Sequence, residues 1–203
     1  VVDSEPGSYL YCGLSRDASK EEILERINNN TITDILNKIE VKAGDVVMVK
    51  AGTIHAIGAG VFICEIQKNS NCTYRMYDYD RRDKFGNPRE LHVKKALDVV
   101  DNHKYIKDNK TEVVIARNEH FTEERLVQCK YFEVYKYDVN DEAKITVDEA
   151  SFVSVLFING SGTIETDDYE KTMEFKAGDS FFVSAGLRSI IIKGQATMVV
   201  TRI

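Results

Sequence analysis

Near the start of the chain, apolar residues recur at helical spacing in two short stretches. Ser19 with Glu22 three positions later is a capping-box signature, which predicts a helix carrying Ile23, Leu24 and Ile27. The run Asn28–Asn30 ends that helix. A second apolar set at i, i+3, i+4 and i+7 predicts another short helix: Ile32, Ile35, Leu36 and Ile39. The two helices indicate a small insertion over about residues 18–39.

Elsewhere, runs rich in β-branched and aromatic residues predict strands separated by Gly or Asn clusters. In the first half they are Ser8–Leu14, Asp45–Lys50, Val61–Gln67 and Cys72–Tyr79, followed by a short helix over Val93–Val100. In the second half they are Glu112–Ala116, Leu126–Val139, Ser151–Ile158, Thr163–Thr166, Thr172–Phe175, Ser180–Val183, Ser189–Ile192 and Thr197–Thr201. Asn159-Gly160 predicts a hairpin turn. Many short, closely spaced strands indicate an all-β sandwich or jelly-roll barrel.

The chain contains an internal repeat. Lys42-Ala43-Gly44-Asp45 recurs in the second half as Lys176-Ala177-Gly178-Asp179, and the pattern K-A-G-D-x-x-x-V-x-A-G is common to both copies. This predicts a duplicated β domain. The offset that carries Lys42 onto Lys176 also carries His55 onto Ser189. We therefore expect His55 to be a metal ligand or acid–base group and the second copy to be structural, although an ordinary hydrogen-bonded histidine fits the residue alone.

Composition narrows the class of partner. The 203 residues include 27 Lys and Arg against 33 Asp and Glu, a net charge of −6, which argues against nucleic acid as the main partner. No apolar run approaches the roughly 20 residues that span a membrane. The four cysteines have no C-x-x-C spacing, so we expect reduced thiols in a cytoplasmic protein.

The most specific pattern lies in three blocks. They read A-G-T-I-H-A-I over 51–57, E-I-Q-K-N-S-N-C-T-Y-R-M-Y-D-Y-D-R over 65–81, and G-N-P-R-E-L-H over 86–92. This sequence resembles the class I mannose-6-phosphate isomerases of the short bacterial type, members of the cupin superfamily, and the resemblance runs through the whole chain. It implies two cupin barrels: residues 1–100 as the remainder of a catalytic cupin domain with the helical insertion, and residues 101–203 as a second cupin without metal.

The resemblance implies zinc-dependent interconversion of mannose 6-phosphate and fructose 6-phosphate, with a sugar phosphate as substrate. The family's ligands are a Gln-x-His pair, a Glu and a His, of which only the last has a match here, at His55. We therefore expect a C-terminal fragment that starts after the metal-binding Glu, as an opening Val1-Val2-Asp3 without Met suggests. Such a chain would be inactive alone and would hold zinc weakly or not at all, since one His cannot complete a site.

The resemblance also implies two residues that act on the substrate. Arg75 would be the active-site arginine that stabilises negative charge on the enediolate, although a surface arginine paired with Asp78 or Asp80 fits the residue alone. Glu65 would bind sugar hydroxyls or move a proton, although a solvent-facing strand carboxylate is equally compatible.

Other acidic residues and histidines carry weaker signals. Asp78-x-Asp80-x-x-Asp83 fails the calcium-loop spacing and is interrupted by arginines, so we expect a salt-bridged loop; His92, His103 and His120 have no metal spacing and are taken as ordinary histidines. A non-catalytic sugar-binding or regulatory cupin is the alternative function. A third alternative is an iron-dependent cupin oxygenase, but this sequence lacks the His-x-His pair usual in such enzymes, which argues against it.

Overall fold

The structure, a computed structural model, describes residues 1–70, 72–107, 113–166 and 169–203. Glu112, where one strand was predicted to begin, and Asn71, within the block 65–81, lie outside the described residues. The chain divides into two compact units, which are described separately below. Unit 1 is Val1–Lys107 and unit 2 is Asp108–Ile203.

Unit 1 is built around a small antiparallel sheet. Its centre is β2 (Tyr9–Leu14), which pairs on one side with β3 (Leu36–Glu40) and on the other with β4 (His55–Ile57). The short strands β1 (Asp3–Ser4) and β5 (Val61–Phe62) pair with each other. Two helices complete the unit: α1 (Lys20–Asn28) and α2 (Val93–Val99).

The predicted first helix is confirmed, including its start. The Ser19 hydroxyl accepts a hydrogen bond from the Glu22 amide at 3.1 Å, so one of the unpaired amides of the first helical turn is satisfied. Ile23 and Ile27 are buried against Leu14, Ile35 and neighbouring apolar residues. The helix is therefore held by its apolar side as well as by its cap.

Other predictions in unit 1 were wrong. The second helix is only a 3₁₀ turn (Ile32–Ile35), after which the chain becomes strand β3, because Leu36 to Glu40 pairs with β2. The predicted strands Asp45–Lys50 and Cys72–Tyr79 are not strands, and Val61–Gln67 contributes only β5. Strand composition alone was not sufficient, because a strand also needs a neighbour to accept its backbone hydrogen bonds.

In its described residues, unit 2 contains eight strands, two of which form a long antiparallel ribbon. The ribbon is β10 (Val153–Thr166) paired with β13 (Arg188–Arg202). The remaining strands are β6 (Val113–Arg117), β7 (Phe121–Gln128), β8 (Glu133–Val139), β9 (Glu142–Val147), β11 (Tyr169–Lys176) and β12 (Ser180–Val183). At one end of the ribbon β12 pairs with β10, while β8, β7 and β6 extend from β13; at the other end β11 and β9 flank it.

Between these two ends of the ribbon lies one apolar core. The rings of Phe157 and Phe175 stack with their centres 3.7 Å apart, and Phe181 meets Phe157 edge-on. Ile164, Ile190 and Met198 are at most 1% exposed in the same cluster. Large apolar side chains therefore fill the interior of unit 2.

Three predictions in unit 2 were wrong. Asn159-Gly160 is not a turn but lies inside β10, where the register shifts between Phe157 and Asn159. The predicted strand Leu126–Val139 is divided by a turn into β7 and β8, and β9 was not predicted at all. Likewise, Ser189–Ile192 and Thr197–Thr201 are parts of one strand, β13, because Gly194 packs closely against Ser161 and Gly162 without ending the pairing.

The internal repeat is visible in the backbone pairing. Cys12 pairs with His55 in unit 1, and Thr146 pairs with Ser189 in unit 2, so the two registers coincide when the first copy is shifted onto the second. The K-A-G-D turns also match: Gly44 and Gly178 both have a φ of 91°. Each half of the chain thus repeats a turn and a strand pair.

The chain is mostly β-structure with two short α-helices, which confirms the broad fold class. None of the helices in the described ranges is long and apolar enough to cross a lipid bilayer. The assignment of residues 1–100 and 101–203 to two cupin domains stays a prediction.

Candidate functional site

Arg75 is anchored through its backbone to a neighbouring segment. Its amide donates to Nδ1 of His92 at 3.3 Å, and its carbonyl accepts from the His92 amide at 2.7 Å. The guanidinium donates one hydrogen bond, to the Glu90 carbonyl at 3.3 Å. Because the side chain is only partly buried and makes no ion pair in the described residues, its remaining donors are available to a further acceptor.

Asp78 is a buried carboxylate surrounded by arginines. Its side chain is 7% exposed; it forms an ion pair with Arg81, and Arg89 Nη1 lies 3.6 Å from Oδ1. Burial alone would raise the pKa of Asp78, but the hydrogen bond from Arg81 and the charges of Arg81, Arg89 and Arg75 together lower it. Since Arg82 also pairs with Asp80 at 3.0 Å, the predicted salt-bridged loop is confirmed.

His55 begins β4, and its side chain is exposed. The Nδ1 atom lies 3.0 Å from the Thr53 carbonyl oxygen. A carbonyl can only accept, so Nδ1 is the donor in this contact, and Nε2 takes no part in it. Metal-binding histidines commonly donate the second ring N–H to a backbone carbonyl, and His55 has that arrangement.

Glu65 is exposed and lies outside any strand, shortly after the end of β5. No hydrogen bond or ion pair joins any two of His55, Glu65 and Arg75 in the described parts of the chain. A shallow groove of about 350 Å³ beside β1 and β5 is lined by other residues, among them Glu5 and Phe62. The roles of the three residues remain predictions.

A metal site cannot be assembled from the described residues by themselves. They contain no group of three or more His, Cys, Asp or Glu side chains that could hold a metal ion. The four cysteines are free thiols, and Cys12 is fully buried, where burial raises the pKa of its thiol. His55 fits as one zinc ligand, but three or four are needed.

Two residues near Arg75 were not recognised from the sequence. His92 was taken as an ordinary histidine, yet its backbone and ring both contact the Arg75 backbone. Asp78 was treated only as part of a loop, yet it is the buried anion that draws the arginines together. The sequence feature that could have pointed to His92 is the block G-N-P-R-E-L-H, which ends at that residue.

Comparison with known proteins covers the whole chain. Residues 122–203 match the family model of the mannose-6-phosphate isomerase cupin domain. The chain is 41% identical over 208 residues to YvyI, a putative mannose-6-phosphate isomerase of Bacillus subtilis (strain 168), and 32% identical over 213 residues to the mannose-6-phosphate isomerase ManA of the same organism. Each match covers 100% of this chain and 62% of the relative.

A solved structure supports the same similarity. The crystal structure of the mannose 6-phosphate isomerase from Bacillus subtilis matches with a TM-score of 0.89 and 35% identity, over 100% of this chain and 63% of that one. The mostly β fold and the cupin-domain match define a protein of the cupin class. Within that class, the chain is similar over its whole length to mannose-6-phosphate isomerases, and it spans 62% of the length of these two curated relatives.

Proposed function

We propose that this chain is part of an enzyme that interconverts mannose 6-phosphate and fructose 6-phosphate. The observation that carries the proposal is its relationship, over its whole length, to ManA and to the solved Bacillus subtilis isomerase. Because the chain spans 62% of ManA, the proposal includes residues beyond those described here. These residues would complete the catalytic cupin domain of which residues 1–100 form the remainder.

Arg75 supplies positive charge to the reaction. Aldose–ketose isomerisation passes through an enediolate, in which negative charge develops on the C1 and C2 oxygens. A guanidinium keeps its charge at every physiological pH and can donate two parallel hydrogen bonds. The backbone anchoring at His92 and the hydrogen bond to Glu90 support this role, because a donor that is already positioned need not reorganise as the charge develops.

Glu65 is the candidate for contact with the sugar. A carboxylate can accept hydrogen bonds from sugar hydroxyls or remove a proton from carbon. Its exposed side chain has no protein partner in the described residues, so both oxygens are free to accept. We assign Glu65 to substrate binding.

Zinc, when bound, would polarise the substrate oxygens. His55 is the residue in this chain that would hold it, through Nε2. The described residues contain no group of three or more His, Cys, Asp or Glu side chains that could hold a metal ion. Following the resemblance, we assign the remaining ligands to a Gln-x-His pair and a Glu that have no match in this sequence. The steps assigned to Arg75 and Glu65 concern only binding and charge.

The test is steady-state kinetics on the protein as its gene encodes it. Arg75→Ala should lower kcat about 10²-fold or more, because a charge-stabilising donor is lost in the transition state. Arg75→Lys keeps the positive charge but loses the planar pair of guanidinium N–H donors, so it should recover part of the lost kcat. Arg82→Ala, in the same loop and paired with exposed Asp80, is the matched control and should stay within about threefold.

Two outcomes would contradict these assignments. Wild-type kcat in Arg75→Ala would remove the arginine from the mechanism. If the wild-type protein turned over neither sugar phosphate with metal supplied, the non-catalytic sugar-binding alternative would replace the isomerase.

A separate measurement addresses the metal. His55→Ala should lose most of its zinc by elemental analysis, since one of three or four ligands is removed, whereas His103→Ala should retain it. His103 is an exposed histidine beside Asp17 and serves as the control. Full zinc content in His55→Ala would contradict the ligand assignment.

A further inference from the structure

A second group of arginines lies in unit 2, on the side of β7, β8 and β13 that faces the core. Directly paired residues of antiparallel strands share a face. Arg125 pairs with Tyr135, Glu123 with Tyr137, and Arg202 with Glu133. Tyr135 and Tyr137 are 9% and 2% exposed and belong to the apolar core, so this face turns inward. We call the group the polar patch: Glu123, Arg125, Glu133, Tyr135, Tyr137 and Arg202.

Both arginines of the patch have an unsatisfied donor. The Nε atoms of Arg125 and Arg202 are buried and have no hydrogen-bond partner in the described residues. Within the same part of the chain, neither guanidinium forms an ion pair with a carboxylate; the contact Arg202 makes is with the Tyr135 ring, 5.1 Å from its centre. Burying an N–H donor of a charged group without an acceptor costs free energy, because its hydrogen bond to water is lost and not replaced.

The neighbouring glutamates do not supply acceptors for these Nε–H groups, because their carboxylates accept hydrogen bonds from tyrosine hydroxyls. The Tyr137 hydroxyl donates to Glu123 at 2.6 Å, and the Tyr135 hydroxyl donates to Glu133 at 2.6 Å. Glu133 also accepts from the Gln128 side chain. Each carboxylate therefore accepts a hydrogen bond from a tyrosine hydroxyl, and neither forms an ion pair with Arg125 or Arg202 among the described residues.

The opposite face of the same strands is different. There Lys136 lies 2.7 Å from Asp138 and 3.8 Å from Glu124, and Asp138 also accepts from Thr197. The cation of the outer face is paired twice, whereas the two guanidinium groups of the inner face have no ion pair among the described residues. This sheet thus contains several carboxylates, but none of those described forms an ion pair with Arg125 or Arg202.

We propose that Arg125 and Arg202 bind the phosphoryl group of a small phosphate ester at the polar patch of unit 2. A phosphate offers several acceptor oxygens, which suit the paired donors of two guanidinium groups. The cation–π contact with the Tyr135 ring helps to hold the Arg202 guanidinium in place. Glu123 and Glu133 limit the affinity by repulsion, so binding is in the millimolar range. The residues that form the site all belong to the second unit, and the site is independent of the activity proposed for the first.

The test is a titration of the isotope-labelled chain, followed by amide chemical shifts, at constant ionic strength. Inorganic phosphate and glycerol phosphate should produce saturable shifts around Tyr135 and Arg202, while unphosphorylated glucose should not. Arg125→Gln and Arg202→Gln should each weaken binding about tenfold or more. Lys136→Gln, on the outer face, should bind phosphate within about twofold of wild type.

Several results would overturn the proposal. They are shifts that do not saturate, equal weakening by Lys136→Gln, wild-type affinity in both arginine variants, or glucose binding as strong as that of glycerol phosphate. If a glutamine variant fails to fold, Arg202→Lys provides the test, because lysine keeps the positive charge but lacks the paired N–H donors of a guanidinium group. Unchanged phosphate affinity in Arg202→Lys would remove Arg202 from the site. If inorganic phosphate binds and glycerol phosphate does not, the ester is excluded and the proposal fails.

Discussion

At the scale of single residues, Glu22 shows how one carboxylate can hold two arginines. Its Oε1 lies 2.5 Å from Arg16 Nη2 and 2.9 Å from Arg26 Nε, so the first turn of α1 is tied both to the preceding loop and to the next turn. Hydrogen bonds from Arg16 and then Arg26 lower the pKa of Glu22 to about 2. The carboxylate is thus ionised at pH values where an unfolded chain would protonate it.

This predicts a pH-dependent stability difference for Glu22→Gln. Because the folded pKa is depressed, the contribution of Glu22 is complete above its ordinary pKa and is lost as pH falls toward about 2. Glu22→Gln should therefore melt at a lower temperature than wild type at pH 7, and this gap should close between about pH 4.5 and pH 2. Glu25→Gln, on the same helix but without an ion pair in the described residues, is the control; an equal gap at pH 7 and pH 2.5 would contradict the assignment.

At the same scale, the sequence could identify candidates but not their contacts. His55 was found because the repeat replaces it with Ser189, and Arg75 because it lies in a long specific block. That His92 would anchor Arg75 could not be predicted, since the contact joins residues 17 positions apart through backbone groups in a segment without regular strands. Nor could the unsatisfied donors of Arg125 and Arg202, which depend on where two tyrosine hydroxyls point.

At the scale of elements, the bulge in β10 explains why a turn dipeptide lies inside a strand. Ile158 is the extra residue, since Phe157 pairs with Met198 and Asn159 already pairs with Thr197. Gly160 then has a φ of 87°, which costs glycine little. Asn159 lacks the positive φ that an Asn-Gly hairpin turn needs, and both residues stay paired with β13, so the dipeptide continues the strand beyond the bulge.

We predict that Gly160→Ala destabilises the chain by about 3 kcal/mol or more. A Cβ at this position would lie 1.9 Å from the Gln195 carbonyl oxygen, in addition to the strain of a positive φ. Gly178→Ala is a matched control, because its φ is 91° and an added Cβ meets nothing within 4 Å; it should lose only about 1 kcal/mol. Urea unfolding measures both, and equal losses would show that the close approach is not important.

The missed strand β9 could have been found by applying the repeat more widely. The shift that carries Lys42 onto Lys176 also carries the predicted strand Ser8–Leu14 onto Glu142–Asp148, and β9 occupies Glu142–Val147. Its alternation of buried Ala143, Ile145 and Val147 with exposed residues is a strand pattern. The false strands in unit 1 could not have been avoided in this way, because their composition was right and only their partners were absent.

At the scale of the whole molecule, duplication is expressed as equal local geometry rather than equal side chains. In both K-A-G-D turns the Asp carboxylate accepts a hydrogen bond from the backbone amide of the Lys, at 2.9 Å for Asp45 and Lys42 and at 2.9 Å for Asp179 and Lys176. The residue before each turn, Val41 or Phe175, is buried. The turn is thus preserved while the interior has diverged.

Because the two turns are alike, Asp45→Ala and Asp179→Ala should destabilise by similar amounts, about 1–2 kcal/mol each, through loss of a hydrogen bond to a charged acceptor. Lys42→Ala should have little effect, since its ion pair with Asp45 is exposed and only the backbone amide matters. Urea unfolding of the three variants provides the comparison. A loss confined to one aspartate would show that the turns are alike in shape but not in energetic role.

The ribbon of β10 and β13 has a consequence for how unit 2 opens. Its two strands pair from Val153–Arg202 to Thr166–Ile190, with one bulge at Ile158. Among the described strands of unit 2, all the others except β6 and β7 pair directly with one of these two. Because the same two strands form both ends of the ribbon, separating them at one end removes pairing that supports the other end. Slow-exchanging amide protons at both ends of the ribbon should be released together, in one cooperative event, instead of one end first.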